Sequence, residues 1–103
     1  LKQPMALDNA RIALSMQPNN PAILDTYGMA LLLTGEKKAA ISNLRAAVNL
    51  NPYAQLPKIH LAEAFLSSDN KQSARDILKS IQDAQVPPTE HETLARLRKE
   101  SGT

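Results

Sequence analysis

The side chains able to do chemistry in this sequence are few and widely spaced. The two histidines, His60 and His91, are the natural candidates for metal ligands or general bases. His60 precedes Glu63 by three residues, which puts imidazole and carboxylate one turn apart on a helix. His91-Glu92 opens like the first half of a zinc-protease motif, but Ala95 stands where that motif needs its second histidine. Neither pair supplies the three or four ligands that a zinc site requires. The sequence has no cysteine, which removes thiol nucleophiles, disulfides and cysteine-held metals together. No serine–histidine–acid order, glycine-rich phosphate loop or carboxylate pair stands out. The expectation is therefore a chain with no catalytic, cofactor-binding or metal-binding residues.

The charged clusters carry no stronger message. Lys37-Lys38 and the Arg96, Arg98, Lys99 group are interleaved with acids or fall at helix ends, and no aromatic platform accompanies them. Cations in a final helical turn are what the helix dipole favours. A net charge of +2 is too small to steer the chain toward nucleic acid or an anionic bilayer. No apolar run approaches the roughly 18–20 residues needed to cross a membrane, and no signal-like segment is visible. Nucleic acid and direct membrane insertion are not expected. The first residue is Leu1 and not methionine, so the sequence reads as an excerpt from a longer protein.

What must position these groups is helix. Aromatic residues make up 3% of the chain, and alanine and leucine dominate its apolar set, which favours close helix-on-helix packing over a sheet of β-branched side chains. Pro4, Pro18, Pro21, Gly35, Pro52, Pro57 and Pro87-Pro88 punctuate the sequence. Between them the apolar residues recur at helical spacing: Leu7, Ala10, Ala13, Leu14; then Leu24, Tyr27, Gly28, Leu31; then Ala40, Ile41, Leu44, Ala47, Val48. Asn20-Pro21 predicts an N-cap followed by proline at the first helical position, and Gly35 a left-handed stop. A fourth helix is predicted to begin near Tyr53 or Ala54 with the face Leu61, Ala62, Phe65, Leu66. Ser68-Asp69-Asn70 then supplies a turn into a fifth helix, Lys71 to about Ala84. Thr89 and Glu92 have capping-box spacing and predict the start of a sixth helix carrying Leu94 and Leu97.

Shifting the sequence by 34 residues superimposes these segments. Ala6, Asn9, Arg11, Ala13 and Pro18 fall on Ala40, Asn43, Arg45, Ala47 and Pro52. Ala30, Leu32, Lys37, Ala40 and Leu44 fall on Ala64, Leu66, Lys71, Ala74 and Leu78. Two overlaps in one frame mark a helix-pair solenoid. The segment resembles the tetratricopeptide (TPR) family, with Leu24, Tyr27-Gly28, Leu31, Ala40, Leu44, Ala47 and Pro52 at the family's signature positions. Gly28 and Ala40 are small so that the paired helices can approach closely. The second repeat departs from the pattern, with Lys58 in place of the first large apolar residue and Val86 in place of the proline. More finely, Asn-Pro-Ala-Ile-Leu-Asp-Thr-Tyr-Gly and His60-Leu61-Ala62-Glu63-Ala64 resemble C-terminal repeats of bacterial TPR lipoproteins of exopolysaccharide and exosortase (PEP-CTERM) systems.

The resemblance implies an all-α fold, a right-handed superhelical solenoid of antiparallel helix pairs with about six helices in a single TPR domain. Residues 4–18 would be the second helix of a truncated repeat, 21–54 a complete repeat, 55–88 a degenerate one and 89–100 a polar capping helix. It also implies a concave groove for a peptide or partner helix, lined by Asp25, Met29, Leu32 and Leu33 from one helix and Ile59, Glu63, Leu66 and Ser67 from the next. Asp25 and Met29 stand where carboxylate-clamping relatives use lysine and asparagine, which argues against binding of chaperone C-terminal tails. Function on this reading is a noncatalytic protein-interaction scaffold, the C-terminal part of a larger bacterial protein in export or in polysaccharide or protein-sorting assembly. The periplasm or an outer-membrane anchor is the implied location, with the cytoplasm as the alternative. The rival is a structural terminal segment of a longer array, or an accessory module of an enzyme encoded upstream, with no ligand of its own. Exposed residues of the first helix, Ile12 and Leu14, would then make self-association possible.

Overall fold

All regular structure among the described residues is helical, as the alanine- and leucine-rich composition requires. The computed structural model describes residues 2–102, with side chains from Leu7 onward. Six α-helices follow in order: α1 (Lys2–Met16), α2 (Pro21–Leu33), α3 (Lys37–Leu50), α4 (Leu56–Ser67), α5 (Lys71–Lys79) and α6 (His91–Ser101). Short 3-10 turns at Asp83–Gln85 and Pro88–Glu90 lie between the last two. The chain divides into two units, Leu1–Tyr53 and Ala54–Thr103. Pro4, expected at the border of the first helix, lies inside the first turn of α1, where its missing N–H has no intrahelical role. The side chains of Pro4 and Ala6 fall outside the described residues.

In the first unit, α2 packs against both α1 and α3. Asn20 caps α2 through its side-chain oxygen, which accepts from the N–H groups of Ala22 at 3.0 Å and Ile23 at 3.2 Å. Pro21 follows at the first helical position. α2 and α3 approach closely at Gly28. A Cβ there would stand 2.6 Å from Leu44 Cγ and 3.4 Å from the carbonyl oxygen of Ala40. Only glycine permits that spacing, and Ala40 and Leu44 opposite it are completely buried.

The second unit is α4, α5 and α6 around one apolar cluster. Ile59 and Ala62 from α4, Leu78 from α5, Ile81 and Val86 from the connection, and Leu94 and Leu97 from α6 form it. Leu66 and Ile77 pack at its edge. The fifth helix stops at Lys79, five residues short of the predicted Ala84. The reason is tertiary: beyond it the chain turns to seat Ile81 and Val86 in the cluster, which a continuing helix could not do. Two buried polar side chains of the α4 start secure this exit. Lys58 donates from Nζ to the carbonyl of Ser80 at 3.2 Å, and Gln55 Oε1 accepts from the Gln82 N–H at 2.8 Å. Lys58 thus buries its aliphatic stem at a position where leucine stands in the other repeat, and its ammonium caps the end of α5.

The predicted capping box does not open α6. Glu90, and not Thr89, stands at the N-cap and makes no side-chain cap. The 3-10 turn starting from Pro88, closed by the Glu90 N–H on the Pro87 carbonyl at 2.9 Å, sets the start of the helix instead. His91 Nε2 lies 3.0 Å from the carbonyl of buried Val86 and ties that start back to the connection.

The helix stops at the two turns repeat with the 34-residue frame. After α2, the Gly35 N–H binds the Leu32 carbonyl at 3.1 Å and the Glu36 N–H binds the Leu31 carbonyl at 2.9 Å. After α4, Asp69 binds Leu66 at 3.1 Å and Asn70 binds Phe65 at 2.9 Å in the same way. Both are Schellman closures, which need a left-handed residue just past the helix. Gly35 has φ +87°, and Asp69 takes φ +59° in its place. A side-chain-bearing residue there carries a strain of about 1 kcal/mol that glycine does not. Asp69→Gly should therefore stabilise the second unit by about 0.5–1 kcal/mol. Thermal unfolding of the variant checks this; an unchanged or lower midpoint would mean the aspartate side chain offsets its backbone cost.

Candidate partner-binding face

The residues of α2 that do not face α3 form the more open of the two candidate faces. Asp25, Met29, Leu32 and Leu33 follow one another at i, i+4, i+7 and i+8, a single stripe on the helix. The first three are half-buried and Leu33 is 70% exposed. Beside them Leu24, Gly28 and Leu31 are buried. The stripe is mainly apolar and adaptable, with one carboxylate, and methionine suits it to varied side-chain shapes.

On α4 the equivalent positions are differently used. Ile59, expected to line the groove, is 1% exposed and belongs to the core of the second unit. The expectation for this residue is corrected: it packs beneath α6 and offers no surface. Leu66 is half-buried against the same cluster, and only Ser67 is open. Glu63 is engaged by Arg96 of α6, whose Nη2 donates to both carboxylate oxygens at 2.9 and 3.1 Å. Arg96 also reaches Glu100 one turn on, at 3.1 Å. Hydrogen bonding to Glu63, then to Glu100, raises the guanidinium pKa further above its ordinary value. The Glu63 carboxylate is therefore already met by a cation of the same chain.

Sequence reasoning missed Arg96 as a site residue. Its polar character at a repeat position held by Gly28 and Ala62 was visible, but its partner was not, because 33 residues separate it from Glu63. A second ion pair pins α6 to the connection: Arg98 donates to both oxygens of Asp83, at 2.8 and 2.6 Å. That hydrogen bond holds the Asp83 carboxyl below the usual carboxylate range against a small opposing desolvation. Asp83, His91, Leu94, Ala95 and Arg98 line a shallow recess of about 150 Å³, whose one cation is taken up by its one carboxylate. Among the described residues no three His, Asp or Glu side chains converge as metal ligands. No helix among them is long and apolar enough to cross a membrane.

Burial follows the 34-residue frame through both units. Leu24 and Lys58, Gly28 and Ala62, Leu31 and Phe65, Ala40 and Ala74, Leu44 and Leu78, and Ala47 and Ile81 are buried in matching pairs. Leu32 and Leu66 are half-buried, as are Met29 and Glu63; Leu33 and Ser67 are exposed. The recurrence stops at α6. Its frame positions Glu92, Ala95, Arg96 and Lys99 are exposed, while Leu94, Leu97 and Ser101 are buried. No protein-family model matches the sequence, and no curated protein does.

Proposed function

We propose that this chain is a tetratricopeptide-type array that binds a peptide or helix of a partner protein on the outward stripe of α2, without catalysis of its own. The observation that carries the reading is the recurrence of burial at 34-residue spacing, glycine or alanine at the close contact included. A scaffold of that kind holds its first-helix stripe rigid, so binding needs little ordering of the receptor. Affinity would come from Met29, Leu32 and Leu33, and selectivity for a basic ligand residue from Asp25. The resemblance of short runs such as His60-Leu61-Ala62-Glu63-Ala64 to bacterial lipoprotein repeats supports a place in a larger bacterial protein of export, polysaccharide or protein-sorting assembly.

The test is a screen of the whole chain against displayed amphipathic-helical and extended peptides. Selected ligands should lose about tenfold or more in affinity on Asp25→Lys or Met29→Glu, on the order of 1.4 kcal/mol or more. Selected ligands indifferent to both changes would remove the α2 stripe as the site. Glu63 is a poor probe, because changing it also breaks the internal pair with Arg96.

One observation favours the structural alternative. Ile12 and Met16 are one turn apart on α1 and are 57% and 76% exposed, a surface suited to another helix of a longer array or to a second copy. Leu14, expected beside Ile12, is half-buried. Sedimentation of the chain and of an Ile12→Lys, Met16→Lys variant separates the cases. A wild-type dimer that the variant loses would assign this surface to self-association.

A further inference from the structure

The second unit holds the terminal helix on the α4 face by residues that the repeat frame does not assign to packing. α6 packs through Leu94, Leu97 and Ser101, while its frame positions point to solvent. It is therefore placed out of register with the repeats, as a ligand helix would be. Its leucines join Ile59 and Ala62 of α4 in the cluster, and Arg96 pairs with Glu63 on the same stripe. Ile59, Glu63 and Leu66 are three of the four α4 positions assigned to a binding face by sequence. α6 stands over the part of that stripe that could receive a partner.

The attachment of α6 has the features of a tethered occupant. No α-helix spans residues 80–90, which connect it to α5, and the connection includes the exposed Pro87-Pro88 pair. Both ion pairs that orient it lie at the surface: Arg96 and Glu63 are 46% and 31% exposed. Water and salt weaken such pairs. α6 is also held by buried Leu94, Leu97 and Ser101, by Arg75, which donates to the Ser101 carbonyl at 2.7 Å, and by His91, whose Nε2 lies 3.0 Å from the Val86 carbonyl. A second helix with leucines and an arginine at the places of Leu94, Leu97 and Arg96 would remake the apolar contacts and the pair with Glu63, so replacement would not empty the core.

We propose that the α4 face is a helix-binding site, that α6 is its built-in ligand, and that the partner it excludes is a helix bearing Leu-x-Arg-Leu with a small residue one turn further on. This deepens the partner-binding reading above by naming the ligand class for the second unit, and rests on it in treating the first-helix stripe as a binding surface. The leucines fill the place of Leu94 and Leu97, and the arginine meets Glu63. The tether gives α6 the advantage of a high effective concentration, on the order of millimolar for a short flexible link. A free helix therefore gains access when the internal one is weakened.

The probe is a labelled peptide of residues 88–102 titrated with the whole chain. It should bind the Arg96→Glu chain, whose own α6 is repelled by Glu63, at least about tenfold more tightly than the wild-type chain. A Glu63→Arg chain should reverse the preference and take an Arg96→Glu peptide over the native one. Equal binding by all chains, or none by a folded Arg96→Glu chain, overturns the proposal. Amide exchange of the unaltered chain supplies a test without variants. The α6 amides should exchange through an opening of lower free energy than those of α4 and α5. Exchange of all three only by joint unfolding equally overturns it. Selected ligands that still depend on Asp25 and Met29 would then leave the α2 reading standing, and peptide exchange at α4 without such dependence would remove the α2 reading alone.

Discussion

Leu44→Ala is expected to cost about 2–5 kcal/mol of folding stability, Gly28→Ala about 1–2, and the two together clearly less than their sum. Leu44 is completely buried, so truncating it loses its transfer free energy and leaves a cavity that α2 and α3 relax only partly to fill. At Gly28 two effects oppose each other. Alanine favours the helix by about 1 kcal/mol. Its methyl would stand 2.6 Å from Leu44 Cγ and 2.8 Å from Cδ2, and relieving such overpacking costs roughly 1–3 kcal/mol. Overpacking wins because Leu44 has no open side toward which to move. In the double variant the clashing atoms are gone and the new methyl occupies part of the cavity. The coupling should be about 1 kcal/mol or more in the favourable direction. Urea unfolding of the four chains measures it. Additive losses would show that Leu44 repacks freely, and the close approach would then not be what fixes glycine at this position.

That contact was legible in the sequence because its residues lie in one helix pair and recur. The same is true of the Asn20 cap, the Gly35 stop and the turn at Asp69, each set by a few neighbouring residues. Where the sequence reading failed, a distant group had decided the outcome. Thr89 and Glu92 have the spacing of a capping box, but Pro87-Pro88 and the burial of Val86 place the N-cap one residue later, at Glu90. Lys71 to Ala84 has the composition of one helix, yet Ile81 gains more from the cluster than from a further turn, and Lys58 and Gln55 supply the polar partners that the exit requires. Lys58 itself looked like a defect in the repeat and is a cap.

The candidate site divides along the same line. On α2, periodicity separates buried Leu24, Gly28 and Leu31 from the less buried stripe of Asp25, Met29, Leu32 and Leu33, because the helices packing against it, α1 and α3, are its neighbours in sequence. On α4 the frame gives the same stripe, but what covers it is α6, more than twenty residues further along the chain. The apolar pair Leu94 and Leu97 was visible; the surface it would bury was not, since a helix's own spacing does not name its neighbour.

Ile59 is where these two readings of α4 part most sharply. As a groove residue, Ile59→Ala would leave folding nearly unchanged, since exposed substitutions fall within about 0.5 kcal/mol. As a core residue among Leu78, Leu94 and Leu97, it should cost about 2–5 kcal/mol. The loss should appear in the second unit as faster amide exchange of α4, α5 and α6, because the cavity would touch all three. Ser67→Ala, at the exposed end of the same stripe, is the control and should change little. A small effect at Ile59 would mean that α6 spends much of its time away from α4. The pattern of large loss, local exchange and unchanged control therefore reports how firmly the chain's own helix is seated, before any partner is known.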